Sequence, residues 1–236
     1  MCGEALSNPG DAFYGLCAGC RFFLESAITN GERCSVCGKP LISEKGTCLP
    51  CREPVSAEGG NYRERLTGMR VLFPYTGKFK ATLGAFKFGK SLGVGNFFAS
   101  HLRSIPDDLG LEAAPSKNNA ECAWVPVPPR PGKIRRQGWD QIERLALLLE
   151  RYYKRSPGGK PVCRCLKRLP SRSQKELNRE ERGSNLNGRI LCTGKPPKSA
   201  ILFDDVITTG ATLNACAAAL LEGGAEKVYG VCLFYD

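Results

Sequence analysis

The stretch Ala200-Ile-Leu-Phe-Asp-Asp-Val-Ile-Thr-Thr-Gly-Ala-Thr212 decides the fold class of this chain. An apolar run ending at Phe203 predicts a buried strand, and two carboxylates, Asp204 and Asp205, follow it directly. A short loop rich in Thr and Gly comes next, and the apolar spacing from Leu213 to Leu221 predicts a helix. Ligands of open α/β sheets bind at the carboxyl ends of strands, so this strand–loop–helix unit predicts a ligand site.

The chemistry of the loop narrows the ligand class. Backbone N–H groups at the start of a helix, together with Thr hydroxyls, form a cradle for an anion. The adjacent acids suit neighbouring hydroxyls or a metal ion, so a ribose 5-phosphate meets both demands. Gly210 is expected to allow close approach of the backbone to the ligand. The alternative is a surface turn with two solvated acids, which the burial of the strand end disfavours.

The rest of the chain alternates predicted strands and helices, which indicates a mostly parallel sheet with flanking helices. The predicted strands are Met69–Tyr75, Ala123–Val127, Cys163–Leu166, Ser199–Phe203 and Lys227–Phe234. The predicted helices are Lys78–Phe88, Gly93–Leu102, Gln141–Tyr152 and residues 212–222, with polar loops at 107–120 and 156–161. We expect an α/β domain over residues 69–236, preceded by a cysteine-rich module over residues 1–55.

Cysteine spacing predicts a metal centre in the N-terminal module. Six of the thirteen cysteines form three CxxC pairs, at Cys17 and Cys20, at Cys34 and Cys37, and at Cys48 and Cys51. The last two pairs are ten residues apart and supply four soft thiolates, which suits structural Zn²⁺ in a zinc ribbon. Gly38 follows the first of these pairs, where a knuckle turn often requires a positive φ.

The remaining pair, Cys17 and Cys20, is also a candidate for metal binding. Cys2 is a third potential ligand, which leaves such a second site one ligand short. Redox chemistry is the alternative for all of these thiols, although it requires exposed thiols of low pKa. CxxC pairs of this kind favour metal binding in a reducing compartment, so we expect a cytoplasmic protein.

Positive charge is concentrated in the middle of the chain. The net charge is +11, and residues 121–198 hold 19 Lys and Arg against 7 Asp and Glu, whereas the other residues hold 15 against 16. A concentrated basic region favours phosphates or nucleic acid, and a solvated basic face is the alternative. No apolar run approaches the roughly 20 residues needed to span a bilayer, and the first residues do not resemble a secretory signal.

Residues 200–212 closely resemble the motif with which type I phosphoribosyltransferases bind phosphoribosyl pyrophosphate (PRPP). The resemblance implies that Asp204 and Asp205 hydrogen-bond the ribose 2′- and 3′-hydroxyls. It also implies that the 5-phosphate is wrapped by the loop residues Thr208, Thr209, Gly210, Ala211 and Thr212.

Further segments, in order along the chain, resemble the ComF family of competence-associated, phosphoribosyltransferase-like proteins. These segments are Tyr75-x-Gly77, Lys87-Phe-Gly89, Val125-Pro-Val-Pro-Pro-Arg130, Lys133 to Gln141, Leu166-Lys-Arg168 and Ser171-Arg-Ser-Gln174. Two departures are Gln137-Gly-Trp-Asp-Gln141, where Arg-Gly-Phe-Asn-Gln is usual, and Ser171 in place of Thr.

The resemblance implies a Mg²⁺-dependent pentosyl transfer from PRPP to an acceptor that the sequence does not identify. Residues Pro128–Arg136 are the candidate pyrophosphate loop, with Arg130, Lys133, Arg135 and Arg136 as candidate contacts, and Pro170–Asn185 is the candidate mobile loop. The basic side chains are also compatible with a nucleic-acid groove or with a solvated surface.

The second hypothesis is that the protein is a binding module and not an enzyme. It senses PRPP or a nucleotide without catalysis, binds single-stranded DNA, and works with other DNA-uptake proteins. A basic groove with interleaved aromatic residues is expected for such a module, and Trp139, Tyr152 and Tyr153 lie in the basic segment.

Overall fold

The computed structural model describes residues 2–29, 32–41, 43–52, 65–111, 121–155, 160–170 and 188–236. Its helices are α1 (Pro9–Tyr14), α2 (Ala18–Thr29), α3 (Leu49–Arg52), α4 (Gly77–Lys87), α5 (Leu92–Leu102), α6 (Ile105–Asp108), α7 (Lys133–Gln137), α8 (Gln141–Tyr153) and α9 (Ala211–Glu222). Its strands are β1 (Gly68–Pro74), β2 (Cys122–Pro126), β3 (Leu166–Arg168), β4 (Ile190–Cys192), β5 (Ser199–Ile207) and β6 (Lys227–Tyr235).

The central sheet has the order β1-β6-β5-β2, and every neighbouring pair is parallel. Its inner strands are continuous apolar runs because helices cover both faces of a parallel sheet. Ala200 of β5, for example, lies opposite Ala123 of β2 and Val228 of β6. The predicted α/β class, a phosphoribosyltransferase-like parallel sheet with flanking helices, is confirmed.

Strand β5 runs further than its apolar residues predicted. It continues through both acids to Ile207, because Val206 and Ile207 pair with Phe234 and Tyr235 of β6. The expectation that the strand stops at Phe203 was therefore wrong. Consecutive side chains of a strand point to opposite faces, so the two acids within β5 point to opposite sides of the sheet.

Two apolar clusters lie on the two faces of the sheet. On the first face, α4, α5 and α8 pack on aromatic residues, among them Phe73, Phe86, Phe98 and Phe234. On the second face, α9 and the small antiparallel pair β3–β4 pack on Val71, Leu202 and Val228. Strand β5 contributes to both clusters and carries its acids to the edge where its helix begins.

Two loop predictions differ from the structure. The strand predicted at Cys163–Leu166 lies slightly later, at Leu166–Arg168, and only Val162 bridges to Trp124 at the edge of the central sheet. The predicted polar loop at 107–120 begins inside helix α6, which has a Pro in its first turn and two buried apolar residues. None of the helices within the described ranges combines the length and hydrophobicity that crossing a bilayer requires.

The N-terminal segment packs closely on the rest of the chain. Leu16 and Leu24 are buried in the cluster of the first face. The Arg33 guanidinium donates to the carbonyl oxygen of Val71 at 2.8 Å. Gly38 has φ +70°, as its position predicted, and a Cβ there would lie 2.2 Å from the carbonyl oxygen of Met69. The boundaries of the two predicted domains stay a prediction.

Candidate functional site

A cavity of about 250 Å³ lies at the carboxyl end of β5, where the chain turns into α9. It is lined by Arg130, Asp204 and residues 206–213, which include the whole Thr-rich loop. Gly210 precedes α9 with φ +76°. This left-handed backbone conformation favours glycine, which explains the residue at this position.

The two acids have different surroundings. Asp204 lines the cavity, and its Oδ1 accepts from the backbone N–H of Asp205 at 2.8 Å. Asp205 is not among the described residues that line the cavity, and it is only 7% exposed. Its Oδ2 accepts from Lys87 Nζ at 2.7 Å and from Gln141 Nε2 at 2.5 Å.

A hydrogen-bond network continues from Asp205 to the candidate pyrophosphate loop. The side chain of Gln141 accepts from Lys133 Nζ at 2.7 Å, and Lys133 Nζ also donates to Asp140 Oδ2 at 2.6 Å. Asp140 in turn caps α8, where its Oδ1 accepts from the backbone N–H of Glu143 at 2.9 Å. We name the side chains of Lys87, Lys133, Asp140, Gln141 and Asp205 the polar network.

The two acids also differ in their electrostatic surroundings. Burial, together with repulsion from Asp205, raises the pKa of Asp204 well above its usual range. Burial acts to lower the pKa of Lys87, but attraction and hydrogen bonding to Asp205 outweigh it, so this pKa is raised. Lys87 therefore keeps its charge at neutral pH, whereas Asp204 holds its proton to a higher pH than an ordinary carboxyl.

Arginine side chains gather around Asp204. Arg168 at the end of β3 is 8% exposed, and its Nε and Nη2 find no hydrogen-bond partner in the part of the chain that the structure describes. Its pKa is lowered by burial and by repulsion from Arg130, whereas attraction to Asp204 opposes the shift. A buried guanidinium with unused donors beside a second arginine is costly without an anion, so this arrangement suits a negatively charged ligand.

The other predicted basic contacts lie in different settings. The ammonium group of Lys133 donates its hydrogen bonds within the polar network. Arg135 and Arg136 lie exposed on α7, and Arg130 belongs to the cavity wall. The candidate mobile loop Pro170–Asn185 lies outside the described residues, except for Pro170.

The aromatic residues of the basic segment do not form an open platform. Trp139 packs edge-on against Phe86, with the ring centroids 5.8 Å apart. The Arg103 guanidinium lies over the ring of Tyr152, 4.8 Å from its centroid. Trp139 in particular belongs to the border of the core, which removes the strongest aromatic candidate for stacking on single-stranded DNA.

Four cysteines come together as their spacing predicted. The Sγ atoms of Cys34, Cys37, Cys48 and Cys51 all lie within 4.8 Å of one another. Cys37 Sγ and Cys48 Sγ are 3.7 Å apart, close to the roughly 3.8 Å edge of a tetrahedron of thiolates bound to Zn²⁺. Burial opposes ionisation of Cys34, but nearby backbone N–H groups lower the pKa of its thiol to about 6. This donor set fits zinc.

The same cysteine centre borders the candidate ligand site. A second cavity of about 100 Å³ is lined by Cys37, Cys48 and Cys51 on one side and by Ile207 and Thr208 on the other. Ile207 and Thr208 also line the larger cavity. A change at the cysteine centre therefore has a short route to the loop after β5.

The other CxxC pair forms a smaller cluster. Cys2 Sγ lies 3.5 Å from Cys17 Sγ and 3.4 Å from Cys20 Sγ. A carboxylate oxygen of Glu4 lies 3.9 Å from Cys2 Sγ. Three thiols and one adjacent carboxylate are ligand types that zinc accepts, so the sequence-based shortage of a fourth ligand has a local candidate.

Sequence reasoning assigned no role to three side chains that the structure places at the site. Lys87, Gln141 and Arg168 all belong to segments that carry the family resemblance. They come from α4, α8 and β3, and Lys87 lies 118 residues before Asp205. Their presence in the motifs was the available signal, but only the fold brings them together.

Comparisons with known proteins agree with this architecture. No model of a known protein family matches the chain. The chain is 28% identical over 216 residues to the competence protein ComFC of Streptococcus pneumoniae (strain ATCC BAA-255 / R6), which covers 90% of this chain and 84% of that protein. It is 29% identical over 218 residues to ComFC of Bacillus subtilis (strain 168), which covers 89% of this chain and 79% of the relative.

A third relative extends the agreement to almost the full length. The chain is 27% identical over 239 residues to competence protein F of Haemophilus influenzae (strain ATCC 51907 / DSM 11121 / KW20 / Rd), which covers 96% of this chain and 93% of that protein. The chain is therefore similar to ComF-type competence proteins over most of its length.

Proposed function

We propose that this ComF-type protein binds PRPP in the cavity at the end of β5. The observation that carries the proposal is the cavity itself, which joins a loop of Thr and Gly residues at a helix start to a carboxyl group and an arginine. The loop residues Thr208–Thr212 offer hydroxyls and backbone N–H groups to the 5-phosphate. Asp204, near the end of β5, supplies an acceptor at the place of the ribose hydroxyls.

The pyrophosphate group of PRPP accounts for the basic side of the cavity. Arg130 lies on the wall, and the unused donors of Arg168 lie in the same electrostatic environment. Two guanidinium groups suit the multiply charged pyrophosphate leaving group, because each can form paired hydrogen bonds to phosphate oxygens. Mg²⁺ enters with PRPP and takes its ligands mainly from the oxygens of the pyrophosphate and the ribose.

The reaction that this arrangement supports is transfer of the phosphoribosyl group to an acceptor, with release of pyrophosphate. The bond from C1 of the ribose to the pyrophosphate oxygen breaks, its electrons leave with pyrophosphate, and a bond forms from C1 to the acceptor. The chain contributes positioning and stabilisation of charge on the leaving group. The zinc centre of residues 1–55 is structural and stands against the ligand domain of residues 69–236.

The names of the relatives support a biological setting for the proposed activity. The three relatives are competence proteins. We therefore assign the protein to competence and DNA uptake, where it acts on PRPP with other DNA-uptake proteins. A PRPP-sensing module that binds single-stranded DNA is the second candidate, and the exposed Arg135 and Arg136 on α7 favour it.

Calorimetric titration of Mg²⁺–PRPP into the wild type and into Asp204→Asn tests the binding proposal. Asp108→Asn is a matched control, because Asp108 is an exposed acid paired with Arg70 away from the cavity. We expect binding by the wild type and the control, and loss of about 100-fold in affinity in Asp204→Asn. Absence of PRPP binding in the folded wild type would overturn the proposal.

Titration of fluorescent single-stranded DNA at several salt concentrations tests the second candidate. Binding through Arg135 and Arg136 predicts an affinity that falls steeply with salt and falls again in Arg135→Gln with Arg136→Gln. An unchanged affinity in that double variant would reject α7 as the nucleic-acid contact.

A further inference from the structure

We propose that the two acids of β5 have different tasks, and this proposal rests on the proposed PRPP site. Asp204 is the acid that meets the ligand. Asp205 is a positioning residue, and Lys87 and Gln141 hold it in place.

The direction of the side chains is the first argument. Along β5, Ala200 and Leu202 belong to the cluster on the α9 face, and Ile201 and Phe203 belong to the cluster on the opposite face. Asp204 continues this alternation on the α9 face, where it lines the cavity, and Asp205 lies on the face that carries α4 and α8. Val206 packs on that same face, so the alternation ends at Asp205. Its two side-chain partners come from the end of α4 and from the start of α8.

The satisfaction of hydrogen bonds is the second argument. Both oxygens of Asp205 are in use, because Oδ2 accepts from two side chains and Oδ1 accepts from the backbone N–H of Val206 at 2.8 Å. A ribose hydroxyl at Asp205 would have to compete with a charged donor 2.7 Å away. The carboxyl of Asp204 interacts with its chain neighbour Asp205, whereas no Lys or Arg of the described residues forms an ion pair with it, and it already lines the cavity.

The third argument is that the network reaches the candidate pyrophosphate loop. The amide of Gln141 donates through Nε2 to Asp205 and accepts through Oε1 from Lys133, so its orientation is fixed at both ends. Lys133 stands at the start of α7, directly after the loop that contains Arg130. The polar network therefore links the end of β5, which carries the two acids, to the loop that contains Arg130. Lys133 supports the site from behind instead of contacting the phosphates.

The test separates support from contact by replacing the whole ion pair. Removing one partner leaves the other buried without compensation, whereas replacing both by apolar groups of similar size is often neutral for folding. The variant Lys87→Met with Asp205→Leu therefore keeps the fold and removes the second acid. The comparison variant is Asp204→Asn, which keeps the shape of its side chain.

Calorimetric titration of Mg²⁺–PRPP into the full chain gives the decisive numbers. We expect Asp204→Asn to weaken binding by about 100-fold. The double variant Lys87→Met with Asp205→Leu, called the apolar pair, is expected to weaken it by less than about tenfold. Lys87→Arg, which preserves the charge and the donor, is expected to bind within about threefold of the wild type. Losses of equal size in Asp204→Asn and in the apolar pair would show that Asp205 contacts the ligand, and would overturn the division of tasks.

The pH dependence of PRPP affinity is a readout that a loss of stability alone does not move. The titratable and charged groups near enough to influence Asp204 are Asp205, Lys87, Arg130, Arg168, Cys216 and Cys232. The charge of Lys87 lowers the pKa of Asp204, so Lys87→Met moves the midpoint of the binding profile to higher pH. Leu102→Ala, a core change on α5, is expected to lower stability without moving the midpoint.

The outcomes distinguish this inference from the function on which it rests. Absence of PRPP binding in the wild type overturns the proposed function and the division of tasks together. Binding by the wild type with an unmoved midpoint in Lys87→Met, or with equal losses in the two acid variants, overturns only the division of tasks.

Discussion

The polar groups on the two faces of strand β5 differ in how fully their hydrogen bonds are satisfied. On the face of α4 and α8, Asp205 sits in a network whose ammonium, amide and carboxylate groups satisfy one another. On the face of α9, Asp204 borders an open cavity, and the buried Arg168 keeps two donors without a partner among the described residues. A network whose hydrogen bonds are satisfied stabilises the fold. Buried polar groups that lack partners are available to bind a ligand, so the cavity lies on the ligand-binding face.

Removing zinc is expected to give the largest effect and to act on the cavity face. Four-cysteine sites contribute folding free energy outright, on the order of 10 kcal/mol in isolated zinc-finger peptides. Chelation should therefore release metal, lower the melting temperature and weaken PRPP binding, because the cysteine centre borders Ile207 and Thr208. Thermal unfolding and calorimetry with and without chelator measure this. Unchanged PRPP affinity after complete loss of metal would show that the loop is independent of the cysteine centre.

Breaking the polar network from one side is expected to cost about 2–3 kcal/mol in the free energy of unfolding. Asp205→Leu alone leaves Lys87 and Gln141 without their acceptor. Adding Lys87→Met should restore most of the lost stability. Denaturant unfolding of the single and double variants measures the difference, and equal stability of the two would mean that the ion pair is not coupled to folding.

Arg168→Met is expected to have opposite effects on stability and binding. Losing a buried guanidinium with unused donors should leave the free energy of unfolding unchanged or raised. Losing a phosphate donor should weaken binding of Mg²⁺–PRPP about tenfold, or about 1.4 kcal/mol. Denaturant unfolding and calorimetry provide the two numbers. A clear loss of stability would instead assign Arg168 to the scaffold.

The pH dependence of stability gives a smaller signal from Asp204. Its folded-state pKa is raised, so its contribution to stability is fully present below the unfolded pKa of about 4 and is lost as pH rises through the folded pKa. The expected loss is about 1.4 kcal/mol for each unit by which the pKa is raised. Asp204→Asn should remove this loss, and unfolding curves at several pH values check it. Parallel curves for the variant and the wild type would contradict the raised pKa.

The loop after β5 was predictable from sequence because its ligand-facing residues are consecutive, from Thr208 to Thr212. The cysteine centre was predictable for the same reason, since four thiols at fixed spacing have few ways to meet. The polar network was not predictable, because Lys87, Gln141 and Asp205 are far apart in sequence and meet only when the sheet is built.

Two other features of the structure could not be predicted from the pattern of residue types alone. The end of β5 was placed too early, because polarity alone does not stop a strand whose neighbour continues to pair with it. Trp139 matched a basic, aromatic-containing segment, but burial against Phe86 defines its environment. Which face of the sheet each acid points to follows from the pairing of β5 with β6, and the sequence contained no equivalent signal.

The most direct test of the account is a side-by-side calorimetric titration of Mg²⁺–PRPP into three proteins. These are the wild type, Asp204→Asn, and the apolar pair Lys87→Met with Asp205→Leu. The account predicts binding by the wild type, a loss of about 100-fold in Asp204→Asn, and a loss of less than about tenfold in the apolar pair. A wild type that does not bind, or equal losses in the two variants, would contradict it.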